Sequence, residues 1–331
     1  MNNEKFIKNP NLKYKYEISN YNHISAANDQ FEVFTSCKDN KQYIAYSNKI
    51  YYYIDIHLLE NNKIIKALKG HSHSLSCIRY FMNNKNKEEY LISAEYVKEI
   101  VILWDITNNY DIKYKFNPLH DNTIFSCLLL FTKDNDNYII TSSSNENKPY
   151  LYVYSLRNGL FIKNIIVNYG EKIYYLLSWN SNNKYYIILF SCGKIIITNL
   201  MENELYYELI QMPEDFHYSG FIYKKDSKDF LCSSCQNGYI NIWDLINKEI
   251  VKIINTYGGK LYHIIQWNEK YIIVADRNNK SFKIVDIELG KVISNIKTKR
   301  FDIICIKKIK HPFYGESLIS AGSRYIDLWA S

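Results

Sequence analysis

Glu99–Ile106 reads EIVILWDI, and far along the chain Gly238–Leu245 reads GYINIWDL. Both stretches alternate side chains with the two-residue period of a strand and then stop at Trp-Asp. Weaker copies stand around them: YYYIDI ending at Ile56, LYVYSL at Leu156, IIITNL at Leu200, FKIVDI at Ile287 and YIDLWA at Ala330. The Asp position of each copy falls at 55, 105, 155, 199, 244, 286 and 330, spacings of 42 to 50 residues. A period of about 40–45 residues is that of a four-stranded propeller blade. Seven copies predict seven blades.

Each copy follows another strand pattern, such as YLISA at Tyr90, FLCSS at Phe230 and YIIVAD at Tyr271. The first six copies also lead into a further strand, as in KIIKAL at Lys63 and EIVKII at Glu249. No such follower stands between Ala330 and Ser331, and KYKYEI (Lys13–Ile18) precedes the first full repeat. Pairing that N-terminal strand into the last blade closes the ring and removes an open sheet edge. The predicted fold class is all-β, a seven-bladed β-propeller of four-stranded antiparallel blades closed by the N-terminal strand. The expected organisation is one domain over residues 1–331, with 1–12 an N-terminal arm and 13–18 the closing strand.

With Gly70-His71 opening the second repeat and Trp104-Asp105 closing it, the chain resembles the tryptophan–aspartate (WD) repeat family from about Lys13 to Ala330. The fifth repeat keeps Trp243-Asp244, the seventh keeps Trp329 with Ala330 in the Asp slot, and Asp286 fills that slot in the sixth. The resemblance implies a hydrogen-bond chain through His71, Ser93 and Trp104. The turn from which the family supplies an Asp to that chain reads Tyr96-Val97-Lys98-Glu99.

The 331 residues are 47% hydrophobic and 16% aromatic, enough for a large core. Lys and Arg (41) exceed Asp and Glu (34) by a margin spread through the turns, whereas nucleic-acid binders concentrate basic residues in a patch. The longest apolar stretch, YYIILFSC at Tyr185–Cys192, is far short of the ~20 residues of a membrane helix. No signal-peptide core stands in MNNEKFIKNPN, and seven cysteines without framework spacing point to a reducing compartment without disulfides. An intracellular protein is expected, in the cytoplasm or the nucleus.

The tryptophans at 104, 243 and 329 share a repeat slot, and Trp179 and Trp267 share another with Tyr223; both slots read as packing. Asp105, Asp244 and Asp286 read as turn-forming residues rather than a carboxylate site. Cys232-x-x-Cys235 lacks the second ligand pair that zinc needs and stands where repeat two has LISAE. His71, His73, His120 and His217, joined by His23, fall between one blade's outer strand and the next blade's inner strand, without ligand spacing. No phosphate loop, nucleophile elbow or carboxylate pair is present. No catalytic residue, cofactor or metal is predicted.

The predicted function is a non-catalytic scaffold for a protein or peptide partner, within a multiprotein complex. Its expected surface combines the inter-blade connections (His71, His73, His120, His217, Tyr257, Arg300) with turns after each second strand (Lys98, Asn147, Arg277, Arg324). The competing readings are binding of RNA or an anionic membrane through lysines and tyrosines, and an enzyme at the channel mouth.

Overall fold

Side chains with a two-residue period and paired Gly, Asn and Asp turns build strands throughout. The computed structural model describes residues 10–19, 31–48, 50–83, 86–96, 100–116, 125–133, 136–145, 148–166, 173–199, 204–210, 215–298, 302–322 and 325–331. These form twenty-eight strands in seven four-stranded antiparallel sheets, with no helix among the described residues. They are the blades of a seven-bladed β-propeller.

Strand β1 (Lys13–Ser19) comes first. Sheet one holds β2 (Phe31–Thr35), β3 (Gln42–Asn48), β4 (Tyr53–Leu58) and β5 (Lys63–Leu68). Sheet two holds β6 (Leu75–Met82), β7 (Glu89–Glu95), β8 (Val101–Asp105) and β9 (Asp111–Phe116). Sheet three holds β10 (Phe125–Lys133), β11 (Asp136–Asn145), β12 (Lys148–Ser155) and β13 (Phe161–Ile166). Sheet four holds β14 (Tyr175–Ser181), β15 (Lys184–Phe190), β16 (Lys194–Asn199) and β17 (Glu204–Ile210). Sheet five holds β18 (His217–Lys225), β19 (Lys228–Cys235), β20 (Tyr239–Asp244) and β21 (Glu249–Asn255). Sheet six holds β22 (Leu261–Gln266), β23 (Tyr271–Asp276), β24 (Ser281–Asp286) and β25 (Lys291–Lys297). Sheet seven joins β26 (Cys305–His311), β27 (Gly315–Ala321) and β28 (Ile326–Ala330) to β1.

Two compact units contain these sheets, Tyr21–His217 and Met1–Asn20 with Tyr218–Ser331. In the first unit, Ile54, Ile56 and Leu68 of sheet one pack with Leu75, Leu91, Ile102 and Trp104 of sheet two. Ile92 and Leu103 then meet Ile139, Tyr152 and Tyr154 of sheet three. In the second unit, Ile240 and Ile242 meet Ile264, Ile272 and Val285, while Ile273, Phe282 and Ile284 meet Ile306, Leu318 and Trp329. Middle strands are therefore covered on both faces: β7 and β8 are buried along their whole length.

Six sheets share one irregularity. The register between third and fourth strands slips at Ile56/His57, Leu103/Trp104, Val153/Tyr154, Ile197/Thr198, Ile242/Trp243 and Ile284/Val285. A bulge there twists the outermost strand and blunts its unpaired edge.

The register corrects one sequence assignment. Tyr43 of sheet one pairs with Leu58, as Tyr90 pairs with Asp105, so the Asp slot of the first repeat is Leu58 and not Asp55. Asp55 is a buried strand residue whose carboxylate accepts from Asn48 Nδ2 at 2.9 Å.

The seventh sheet draws its outer strand from the chain's other end, with β1 running from Lys13↔Ala330 to Ser19↔Ile326. Its Tyr14 ring meets Trp329 edge-on at 5.5 Å, and Leu12 and Ile18 are buried. Deleting residues 1–19 exposes the β28 edge and uncovers Trp329. The expected result is aggregation, or a melting temperature lower by roughly 10 °C or more, read by scanning fluorimetry and light scattering. A truncated chain that melts as the full one does would refute the pairing.

Candidate functional site

Sheet two carries a continuous polar chain. Trp104 Nε1 donates to Ser93 Oγ at 2.8 Å, and Ser93 lies 2.6 Å from His71 Nε2. His71 Nδ1 lies 3.1 Å from Glu95 Oε1, which also accepts the Ser72 N–H at 2.6 Å. Burial holds His71 below the ordinary histidine value despite the carboxylate beside it, so the ring is neutral. Burial works to raise the Glu95 carboxyl, but donation from His71 and Ser72 outweighs it and leaves Glu95 below the usual range. All donors then run one way: indole N–H to hydroxyl, hydroxyl to Nε2, Nδ1–H to carboxylate. The acid is Glu95, the last residue of β7, and not a residue of the turn after it. Gly70 has a steric reason too, since a Cβ there would stand 2.8 Å from Trp104 Cη2.

His71 joins Ser93 and Trp104 as the resemblance implied, but its burial and that of His217 correct the assignment of both to the partner-binding surface. His71 is buried beneath this chain. His217 opens β18, has no exposed surface, and is pushed down to about 4 by burial. Lys98, His120, Asn147, Arg300, Arg324 and His23 lie outside the described residues.

His73 does reach the surface, with its side chain about one-third exposed (32%) and Nδ1 3.6 Å from Glu95 Oε2. Its ring stacks with Tyr52 at 6.3 Å. Tyr52 belongs to the turn between β3 and β4, where Ile50, Tyr51 and Tyr52 are all exposed, Tyr51 by 60%. Tyr51 stacks on Tyr53 at 5.7 Å, and Lys69 Nζ lies 5.1 Å from the Tyr53 ring centre. Tyr52 has φ +58°, uncommon for an aromatic residue, and Asn48 Oδ1 braces the turn by accepting the Ile50 N–H at 3.2 Å. Sequence reasoning missed this cluster, because the tyrosine run reads as the start of β4. The signal was an apolar run occupying the turn slot that holds Gly193, Gly238 or Asn278 in sheets four to six.

The unit containing Tyr218–Ser331 builds a second cluster. Tyr257 is 87% exposed at φ +51°, with its N–H donated to Asn255 Oδ1 at 2.8 Å. Nearby in the fold, Tyr218 stacks on Tyr262 at 4.4 Å. Arg277 lies 4.9 Å from the Tyr262 ring centre, donates to its hydroxyl at 2.6 Å and sits 3.6 Å from Asp302. The guanidinium is thus held flat and oriented at the end of β23, the kind of anchor that recognises carboxylates and phosphates.

The remaining marked residues have structural surroundings. Asp244 Oδ1 accepts the N–H groups of Ile246 and Asn247, each at 2.9 Å. Asp105 takes the Asn108 N–H at 3.1 Å, and Asp286 takes that of Leu289 at 2.9 Å. Trp243 donates to Ser233 at 3.0 Å and Trp329 to Ser320 at 2.8 Å. Cys232 and Cys235 are buried three apart on β19, hence on opposite faces of the sheet, and burial pushes the Cys232 thiol far up.

No protein-family model matches this sequence, and no curated protein is detectably similar to it. Among solved structures, that of BBS1N in complex with ARL6DN, from a crystal soaked with mercury, is similar with a TM-score of 0.75. It covers 96% of each chain at 13% identity, a likeness of fold alone.

Two outcomes follow from the buried imidazoles. Both have pKa values below the ~6.5 of an unfolded histidine, so the unfolded chain binds more protons as pH falls below that value. Stability is therefore flat from pH 8 to about 6.5 and then declines, His217 contributing roughly 3 kcal/mol of loss by pH 4. Thermal melts at pH 8, 6.5 and 5 test this, and His217→Gln should lose less between 6.5 and 5 than wild type. Ser93→Ala strands both the Trp104 indole and His71, so it should destabilise by about 2–3 kcal/mol, more than Ser233→Ala does. Equal effects in urea melts would dissolve the distinction.

Proposed function

We propose that this chain is a non-catalytic WD-repeat scaffold that docks a protein or peptide partner through turns held at the ends of its strands. The observation that carries this reading is the Ile50–Tyr53 turn. Three consecutive large apolar or aromatic side chains stand in solvent there, and one of them holds a left-handed backbone. Isolated exposed apolar residues need no explanation, but a braced contiguous set is the composition of an interface centre. Strain persists where the surrounding structure over-determines it, and such positions cluster at recognition sites. Little entropy remains to be lost on docking, because the side chains are already ordered by stacking.

The neighbour of known structure, BBS1N, is held in complex with a protein, ARL6DN, which supports the same class of role here. We take residues 1–331 to act as one domain within a multiprotein complex, in the reducing interior of the cell, in the cytoplasm. His73 joins the Ile50–Tyr53 turn as one proposed partner-binding set, and Tyr257 with Arg277 forms another, each within its own unit. Lys98, His120, Asn147, Arg300 and Arg324 remain assigned to partner binding from their repeat positions, whereas His71 and His217 are buried.

Affinity capture from cells, read at low and moderate salt, tests the proposal with two variants. Tyr51→Ser with Tyr52→Asn keeps a residue that tolerates positive φ, and Tyr257→Asn with Arg277→Ala probes the second cluster. Capture of a reproducible partner should fall about tenfold or more in the first variant with the melt unchanged. Partner capture equal to wild type in both variants would show that the surface lies elsewhere.

A further inference from the structure

The turn between β26 and β27 reads His311-Pro312-Phe313-Tyr314-Gly315 and points two large aromatics into solvent, Phe313 by 66% and Tyr314 by 41%. It lies at the opposite strand ends from Tyr257 and Arg277, because chain direction reverses with each strand. The tip is held rigidly from within. His311 is buried, with Nδ1 accepting the Phe313 N–H at 3.2 Å and Nε2 3.3 Å from the Tyr16 hydroxyl. With Nδ1 accepting, the neutral ring carries its proton on Nε2 and donates it to Tyr16. The His311 ring also packs 4.8 Å from Tyr314 and 5.9 Å from Phe313. Gly315 closes the turn at φ +69° with open space around it, and its carbonyl accepts from Ser317 Oγ at 3.1 Å.

Around this tip the charge is lopsided. Register places Lys13, opposite Ala330 and hence Ser317, at the same end of the sheet, and Lys310 stands one residue before His311. Lys15 Nζ lies 5.2 Å from the Tyr314 ring centre. Against Lys13, Lys15, Lys308 and Lys310 stand Glu316, which pairs with Lys308 at 2.6 Å, and Glu288 in the turn of the adjacent sheet, which pairs with Lys225 at 3.2 Å, so the balance is basic. Leu289, in the β24–β25 turn of the adjacent sheet, is 66% exposed at the same strand ends.

We propose that this end of sheet seven docks on an anionic lipid bilayer, with Phe313 and Tyr314 entering the headgroup region and the lysines neutralising acidic lipids. A convex, rigid aromatic tip needs a partner that deforms around it, and a bilayer interface does so without a matching pocket. Aromatic rings favour that depth, and flexible lysines need no fixed geometry to meet lipid phosphates and carboxylates. Two weak terms are combined, apolar insertion and surface charge, and each is needed for stable binding.

The test is sedimentation of the full chain with phosphatidylcholine vesicles, with and without phosphatidylserine. Wild type should pellet with the serine-containing vesicles only, and less so as salt rises. Phe313→Ser with Tyr314→Ser should weaken binding about tenfold or more, and Lys13→Glu with Lys310→Glu should abolish it. All four positions are exposed, so unchanged melts separate lost binding from lost folding. Failure of wild type to pellet with anionic vesicles overturns the proposal. So does a serine variant that binds as wild type does, or a tighter hold on soluble RNA that the aromatic changes leave untouched.

Discussion

A polar side chain on a middle strand of these sheets has no water to turn to, and the sheet must satisfy it internally. The requirement follows from packing a sheet on both faces of each blade's second and third strands. Sheet two meets it with Trp104, Ser93, His71 and Glu95 in series. Sheet one places His57 where Trp104 stands and Tyr46 where Ser93 stands, joined at 2.7 Å. Sheets five and seven keep the Trp–Ser bond, and sheet five adds Asn241 Nδ2 on Cys235 Sγ at 3.1 Å. One constraint therefore admits several chemistries, and the repeats can diverge in sequence while the fold persists.

That tolerance explains what was legible in the sequence and what was not. Strand count, order and ring closure could be read, because alternation and spacing survive when the individual polar pairs change. The closing strand was visible as KYKYEI because a strand pattern without a repeat must find an edge. The Asp slot of sheet one was misplaced because YYYIDI ends on an Asp-Ile pair like the other copies, and only the strand pairing, Tyr43 with Leu58 as Tyr90 with Asp105, distinguishes Leu58 from Asp55. Glu95 was missed because the acid was sought in the turn, whereas the longer Glu side chain reaches His71 from the strand's last residue. The exposed Ile50–Tyr53 turn was missed although an apolar run stood in a turn slot, because hydrophobicity alone suggests a core.

Both exposed aromatics at positive φ share a local device. Asn48 lies two residues before Ile50, and Asn255 two before Tyr257, and each side-chain oxygen accepts the backbone N–H two residues on. The Asx turn at Asn255 closes on Tyr257 itself and offsets part of the cost of a left-handed tyrosine, about 1 kcal/mol or more, whereas that at Asn48 closes on Ile50 and leads into the turn that holds Tyr52. Evolution of a turn for stability alone would place Gly or Asn at such positions. Tyr52 and Tyr257 therefore stand exposed on a surface where Gly or Asn would be the less costly residue.

In sheet six the buried polar pair reaches from the core to that surface. The Trp and Ser slots hold Val285 and Val274, and the polar pair moves one step along to Asp276 and Lys283, 2.9 Å apart and buried. Lys283 also donates to the Thr256 carbonyl at 2.8 Å, while Thr256 Oγ1 and N–H both reach the Gly238 carbonyl. Thr256 directly precedes Tyr257, so the connection presenting this aromatic is tied to the interior by a charge that cannot be removed without stranding its partner. Gly258 has no room for a side chain, because a Cβ would collide with Lys283 Nζ and Asp276 Oδ2. An ion pair replaced by well-packed apolar residues would serve the core as well. Here the pair also positions a connection: the reach of Lys283 spans two blades and fixes the backbone from which the exposed Tyr257 ring projects.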